Sequence, residues 1–175
     1  MKEIVHFEPI TPKSYQSYID VGTRAYNQHY LHLWPNGNST PYIESSFTLD
    51  VLRKEENDNN TILYRIIFEK KVVGVLKITL NAPFGSFSEK EALCVDKIYI
   101  LNEYSGKGIG KKVIQFALLR AKESDKKVVW LDTMQKGPAL EFYLKNGFQI
   151  HSESKVIFPT VIKDESLMWV MAKRC

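Results

Sequence analysis

The sequence predicts an α/β protein of the α+β kind, with a mixed, mostly antiparallel central sheet of about seven strands flanked by four helices. Three observations carry this. Alternating or continuous apolar stretches suited to strands recur along the chain, at 4–9, 61–68, 72–80, 92–101, 127–131, 148–158 and 167–172. The second and third are separated only by a polar turn at Glu69-Lys70-Lys71, so they read as an antiparallel hairpin. Between 92–101 and 127–131 lies a helical stripe, the kind of crossover that parallel neighbours require.

Taken in order, Ile4-Val5-His6-Phe7-Glu8-Pro9 alternates as a strand does. Thr11 then serves as an N-cap and Pro12 suits the first turn of a helix over 12–29. Trp34-Pro35-Asn36-Gly37-Asn38 makes 31–39 a loop. Ile43, Phe47 and Val51, four residues apart, predict a second helix over 41–55, and 57–60 is a polar turn. After the hairpin, the connection 81–91 carries Pro83 and Gly85 and reads as exposed. Val95, Ile98, Tyr99 and Ile100 give the strand 92–101 its β-branched and aromatic content. The helix that starts near Gly108 bears Val113, Ile114, Ala117, Leu118 and Ala121 on one face. Pro138 opens another helix and Asn146-Gly147 ends it. No repeat, linker or low-complexity segment interrupts the order β-α-α-β-β-β-α-β-α-β-β, which predicts one domain over 1–175.

Composition sets the class. The 175 residues are 44% apolar and 25% charged, which is globular rather than disordered. No apolar run approaches the roughly 20 residues of a membrane span, and Met1-Lys2-Glu3 leads into a short strand rather than a leader's apolar core. Cys94 falls in a strand and Cys175 is the last residue, so no disulfide framework is implied and a reducing cytoplasm is expected. The net charge of +4 comes with no nucleic-acid signature, so neither a nucleic acid nor a membrane is expected as partner. A mild positive charge helps attract an anionic ligand.

The segment with the most chemistry is Ser105-Gly106-Lys107-Gly108-Ile109-Gly110, between a strand and a helix. Glycines let backbone N–H groups approach a ligand, and a helix N-terminus adds unpaired donors and a positive dipole end. Together they suit a pyrophosphate, with Lys107, Lys111 and Lys112 adding charge. The nucleotide P-loop does not fit, because Ser105 stands for its first glycine and Lys112 for its Ser/Thr. The dinucleotide fingerprint fails as well, at Lys111 when started from Gly106 and at Val113 when started from Gly108.

The loop resembles a third phosphate cradle, that of the GNAT superfamily, Arg/Gln-x-x-Gly-x-Gly/Ala after the fourth strand. Gly108 and Gly110 match its small positions and Ser105 replaces its Arg/Gln. Ala139-Leu140-Glu141-Phe142-Tyr143-Leu144-Lys145-Asn146-Gly147-Phe148 is similar to the family's second motif, with Lys136 where Asn often stands. The resemblance covers nearly the whole chain and implies an acetyl-CoA-dependent N-acetyltransferase that needs no metal. It implies a sheet splayed between strands 4 and 5 to admit the pantetheine arm. Ile98, Tyr99, Ile100, Ser105, Gly106, Lys107, Gly108, Ile109, Gly110, Lys111 and Lys136 then contact the cofactor. A looser resemblance to bacterial PaiA-type polyamine acetyltransferases favours a polyamine as acceptor.

By the same resemblance Tyr143 is the general acid for the departing thiolate. A phenol near pKa 10 and a thiol near 8.5 make a workable pair. An alkylamine is protonated at neutral pH, so a base is required, and Asp96 is the candidate, on a strand whose alternation groups it with Cys94 and Ile98. Cys94 has no histidine placed beside it by sequence, and direct transfer needs no acyl-enzyme. Tyr26, Tyr30 and Trp34, with Glu44 for charge, are the candidate acceptor site, since aromatic faces hold cationic amines. The positive total charge weighs mildly against a cationic acceptor, though local charge decides binding. His29-x-x-His32 lacks the further ligands of a metal site. Two other functions compete: acetylation of a protein or peptide amine, and a non-catalytic acyl-CoA-binding module. The chain is expected to be a monomer or homodimer.

Overall fold

The structure, a computed structural model, describes residues 4–175; Met1-Lys2-Glu3 lies outside them. Seven strands, β1 (Val5–Pro9), β2 (Thr61–Phe68), β3 (Lys71–Thr79), β4 (Ala92–Ile100), β5 (Val128–Met134), β6 (Gln149–Lys155) and β7 (Leu167–Arg174), form one sheet. Their order is β1-β2-β3-β4-β5-β7-β6. All neighbours are antiparallel except β4 and β5, which are parallel and joined by a helical crossover. The expected mixed, mostly antiparallel sheet is therefore present.

The α-helices are α1 (Tyr15–Tyr30), α2 (Thr40–Ser46), α3 (Leu49–Glu56), α4 (Ile109–Glu123) and α5 (Ala139–Lys145). The single helix expected over 41–55 is broken into α2 and α3. Phe47 leaves the helical region (φ −129°, ψ 56°) with its ring in the core, and the Thr48 side chain accepts the Val51 N–H to cap α3. An N-cap in mid-pattern is stronger punctuation than apolar spacing alone.

The sheet separates two cores. On one face α4 buries Ile109, Val113, Ile114, Ala117 and Ala121 against Leu93, Val95, Val129 and Leu131, and Tyr143 of α5 packs beside them. On the other face Tyr18, Tyr26, Phe47 and Leu52 from α1–α3 meet Val75, with Tyr99 packed against them. A β-bulge decides which residues of β4 face which core. Lys77 lies opposite Lys97, but Ile78 lies opposite Val95, so Asp96 is an extra residue. Before the bulge Leu93 and Val95 face α4; after it Ile98 and Ile100 do, and Lys97 and Tyr99 turn to the α1 side. The expected grouping of Cys94, Asp96 and Ile98 on one face fails for this reason. Gly74 of β3 is required nearby, because a Cβ there would sit 2.5 Å from the Tyr99 carbonyl oxygen.

Two strand ends differ from expectation. The strand expected over 127–131 runs on to Met134, since Asp132, Thr133 and Met134 pair with Val170, Trp169 and Met168. The strand expected over 148–158 stops at Lys155, and 156–158 belong to the following loop.

Candidate active site

The parallel pair β4–β5 is bonded only at Ala92–Cys94 against Val128–Trp130. Beyond Cys94 the strands diverge, so from Val95 to Ile100 the side of β4 that faces away from β3 has no strand partner. Every unpaired strand edge offers N–H and C=O groups to an extended ligand. On its paired side Ile98, Tyr99 and Ile100 lie opposite Leu76, Val75 and Gly74. The Ile100 carbonyl also lies 2.8 Å from His29 Nε2.

The glycine loop stands at the C-terminal end of β4. Ser105 closes the turn before it, its N–H and hydroxyl both donating to the Asn102 carbonyl. Gly106 and Gly108 have φ of 76° and 77°, and Gly108 is the N-cap of α4. A Cβ at either would meet nothing within 4 Å. Glycine is needed there for its backbone conformation and for open space in front of it, not for internal packing. Gly110 differs, since its Cβ would press on the Phe142 ring at 3.0 Å. Among the described residues, the N–H groups of 106–111 donate to no backbone carbonyl, and the first bond of the helix comes from Lys112 to Gly108. Lys107, Lys111 and Lys112 are exposed around these donors. A row of free donors at a helix N-terminus fits a pyrophosphate. Lys136 stands beyond the end of β5, 3.3 Å from Glu165.

A cavity of about 540 Å³ opens at the divergence of the two strands. Its wall draws on both faces of the sheet, with Tyr26, Tyr30 and Tyr42 from one side and Tyr143 from the other. Such a cavity can exist only where the sheet is open. Ile98 and Tyr99 line it as well. Tyr26 and Tyr42 stack with centroids 4.0 Å apart, and the Tyr42 and Tyr99 hydroxyls are 2.6 Å apart. Burial pushes the Tyr26 phenol up to about 12 and raises Tyr42 and Tyr99 further, so these rings stay neutral at physiological pH.

The bulge presents Asp96 to this cavity. Its Oδ2 accepts from Thr79 Oγ1 at 2.7 Å. The carboxyl reaches solvent through the cavity mouth but has protein on most sides, and that desolvation raises its pKa against the opposing effects of Thr79, Lys77 and Lys97. Tyr143, on α5, is half-buried, with its ring edge-on to Phe142 and Phe148. Burial, then the nearby Tyr30, raises its phenol well above the ordinary value. Cys94 is buried and its thiol is pushed up, first by desolvation and then by Asp96 and Asp132, which is the opposite of what a nucleophilic thiolate needs.

Two expected acceptor residues do not reach the cavity. Trp34 is core, packed with Leu33 and Val161, and donates through Nε1 to the Tyr26 hydroxyl at 3.0 Å. Glu44 is exposed on α2, where Tyr42, Ser45 and Ser46 share the cavity side at i, i+3 and i+4 and i+2 points elsewhere. The cavity instead contains charges that sequence reasoning missed: Glu55 of α3, Lys77 of β3, Lys97 of β4, Asp132 of β5 and Lys155 of β6. Glu55 and Lys77 form an ion pair at 2.6 Å, and Asp132 accepts from Ser154 at 2.7 Å. Among the described residues no group of three or more His, Cys, Asp or Glu side chains could hold a metal, and no helix is long and apolar enough to cross a membrane.

Comparison with known proteins agrees with this geometry. Residues 59–150, just over half the chain, match the family model of the acetyltransferase (GNAT) domain. An uncharacterized N-acetyltransferase of Lactobacillus delbrueckii subsp. lactis, named for the pepI 3′ region, is 25% identical over 113 residues. That match spans 64% of this chain and 65% of the relative, just under two thirds of its length. The PaiA N-acetyltransferase of Thermoplasma acidophilum, solved in complex with coenzyme A, superposes with a TM-score of 0.77 at 15% identity, covering 98% of this chain and 99% of that one. A mutant spermidine N-acetyltransferase, SpeG, of Vibrio cholerae gives 0.70 at 13% identity over 97% and 93%. At such identities the structural likenesses speak for the fold. With the family model and the open β4–β5 junction, they lead to one statement: this chain belongs to the GNAT acetyltransferase family.

Proposed function

We propose that the chain transfers the acetyl group of acetyl-CoA to the primary amine of a small molecule, directly and without an acyl-enzyme. One observation carries the reading: a single cavity where β4 and β5 part is lined both by Tyr143 and by the aromatic wall from the other face of the sheet. A donor entering from one face and an acceptor from the other would meet there. When bound, acetyl-CoA supplies a thioester, an acetyl group already activated for an amine.

The protein's own groups divide the remaining work. The free N–H groups of 106–111 would hold the pyrophosphate, with Lys107 and Lys111 adding charge. The unpaired edge of β4 at Ile98–Ile100 would bond the pantetheine amides, and Lys136 would stand near that arm. Asp96 would take the proton from the ammonium of the acceptor. Its raised pKa brings it closer to a useful base than an ordinary carboxylate. Tyr143 would donate to the departing sulfur. Burial raises the phenol, so it keeps its proton at neutral pH until the sulfur departs.

Tyr30 would present its ring to the acceptor, with Tyr26, stacked on Tyr42, lining the wall beside it. Polyamines are one class this wall supports, through Asp96, Glu55 and Asp132 and the fold-level likeness to a spermidine N-acetyltransferase. A reducing, cytoplasmic setting belongs to the same proposal, in keeping with the free thiols of Cys94 and Cys175. The test is thiol release from acetyl-CoA against polyamines, aminoglycosides, amino acids and peptides, with the product identified by mass. Acetylation of small amines is expected. Brisk turnover confined to peptides would replace the small-molecule acceptor with a protein one.

A further inference from the structure

The cavity contains a cation that a purely cationic acceptor does not explain. Lys97 is only 9% exposed. Its ammonium lies 5.2 Å from the centre of the Phe47 ring and 5.8 Å from that of Tyr42, and no carboxylate comes within 4.0 Å of it among the described residues. The carboxylates around it are engaged elsewhere, although Glu55 Oε2 is buried with no hydrogen-bond partner of its own. Glu55 takes Lys77 through Oε1, Asp96 takes Thr79 and Asp132 takes Ser154. Lys77 faces Lys97 directly across the β3–β4 ladder, and like charges so placed repel. Desolvation holds the Lys97 ammonium down to about 8, with Lys77 adding to it and the more distant Glu55 and Asp96 opposing it. A buried ammonium without an anion is costly unless something supplies the counter-charge.

Two features indicate where that counter-charge comes from. Lys97 lines the same cavity as Asp96, and the two are consecutive residues at the bulge. The bulge lets neighbours that would otherwise point to opposite faces both meet one space. An acid and a buried base with no carboxylate in ion-pair contact, side by side, match a ligand with both charges. A bare polyamine would satisfy the acid and add repulsion at Lys97, Lys77 and Lys155.

We propose that the acceptor carries a carboxylate close to its reactive amine, as an amino acid does, with the carboxylate paired to Lys97 and the amine directed to Asp96. This rests on the small-molecule N-acetyltransferase reading above and narrows its substrate class. No new chemical step is involved. The acetyl group still passes from sulfur to nitrogen, and the amine's proton leaves through Asp96.

The test uses pairs of acceptors that differ only by a carboxylate: lysine and cadaverine, ornithine and putrescine, phenylalanine and phenethylamine. kcat/KM is measured for each with the full chain and for Lys97→Met. Coenzyme A affinity and a single melting transition certify that the variant is folded. The wild type is expected to prefer the amino acid in each pair by about 10- to 100-fold, the range of a charge-assisted contact. Lys97→Met should bring that ratio close to one. A wild type that prefers the decarboxylated amine, or a ratio unmoved by Lys97→Met, overturns the carboxylate assignment and leaves the small-amine reading standing. Binding of acetyl-CoA with no acetylation in either column overturns both.

Discussion

Gly108 gives the sharpest test of the phosphate loop, because the structure separates the two effects of replacing it. Its φ is +77° and it is the N-cap of α4. An added Cβ meets no atom within 4 Å, so packing contributes nothing to the cost. In Gly108→Ala the left-handed backbone costs about 1–2 kcal/mol, roughly 2–8 °C in melting temperature for a chain of this size. The new methyl also stands in open space on the loop whose N–H groups, 106–111, are free. Loss of one charge-assisted contact there costs about 1.5–3 kcal/mol, or roughly 10- to 150-fold in Kd. Gly108→Asn separates the terms. Asn tolerates the left-handed conformation, so stability should be nearly kept while its side chain still obstructs the ligand. Calorimetric titration with coenzyme A and a thermal melt on both variants read the two quantities. Folded Gly108→Ala and Gly108→Asn proteins that bind coenzyme A as the wild type does would refute the cradle.

Three further outcomes are expected. Tyr143→Phe should lower kcat by about 10²- to 10⁴-fold while coenzyme A affinity stays within a few-fold, and near-normal turnover would remove Tyr143 from the proton path. Asp96 must be ionised to act as a base, so kcat/KM in the wild type should fall as pH drops through its raised pKa; Asp96→Asn should lose most activity and recover partly at high pH, and parallel profiles would make Asp96 structural. Lys97→Met should stabilise the fold at pH 7: the folded-state pKa is held near 8 against 10.5 when unfolded, so below pH 8 the folded chain bears the full cost of keeping the proton, about 3 kcal/mol before the lost ring contacts are subtracted. Between pH 8 and about 10.5 only the unfolded state holds that proton, wild-type stability rises, and the variant's advantage should vanish; urea unfolding at pH 7 and 10 reads this, and a pH-independent difference would contradict it.

The sequence made the loop and the topology legible because both are written locally. Glycines at 106, 108 and 110 are contiguous with the helix they start, and the hairpin and crossover follow from run lengths and turns. The charged wall of the cavity was not legible. Glu55, Lys77, Lys97 and Asp132 come from four elements, and nothing in their local spacing brings them together. The bulge at Asp96 reverses the alternation of β4, so a strict period of two assigns Lys97 and Ile98 to the wrong faces. Asp132 was hidden because apolar content ends at Leu131, although pairing with β7 carries the strand on. Trp34 in its loop and Glu44 on its helix show that aromatic or acidic character alone says nothing about which way a side chain points. One proved to be core and the other surface.

The proposed mechanism requires the opening between β4 and β5 to be the channel in which donor and acceptor meet. A crystal structure of the chain with coenzyme A tests it most directly. The pyrophosphate is expected on the N–H groups of 106–111, the pantetheine alongside β4 at Ile98–Ile100, and the sulfur at the cavity between Tyr143 and Asp96. Coenzyme A bound elsewhere, or a β4–β5 gap closed by strand pairing beyond Cys94, would contradict it.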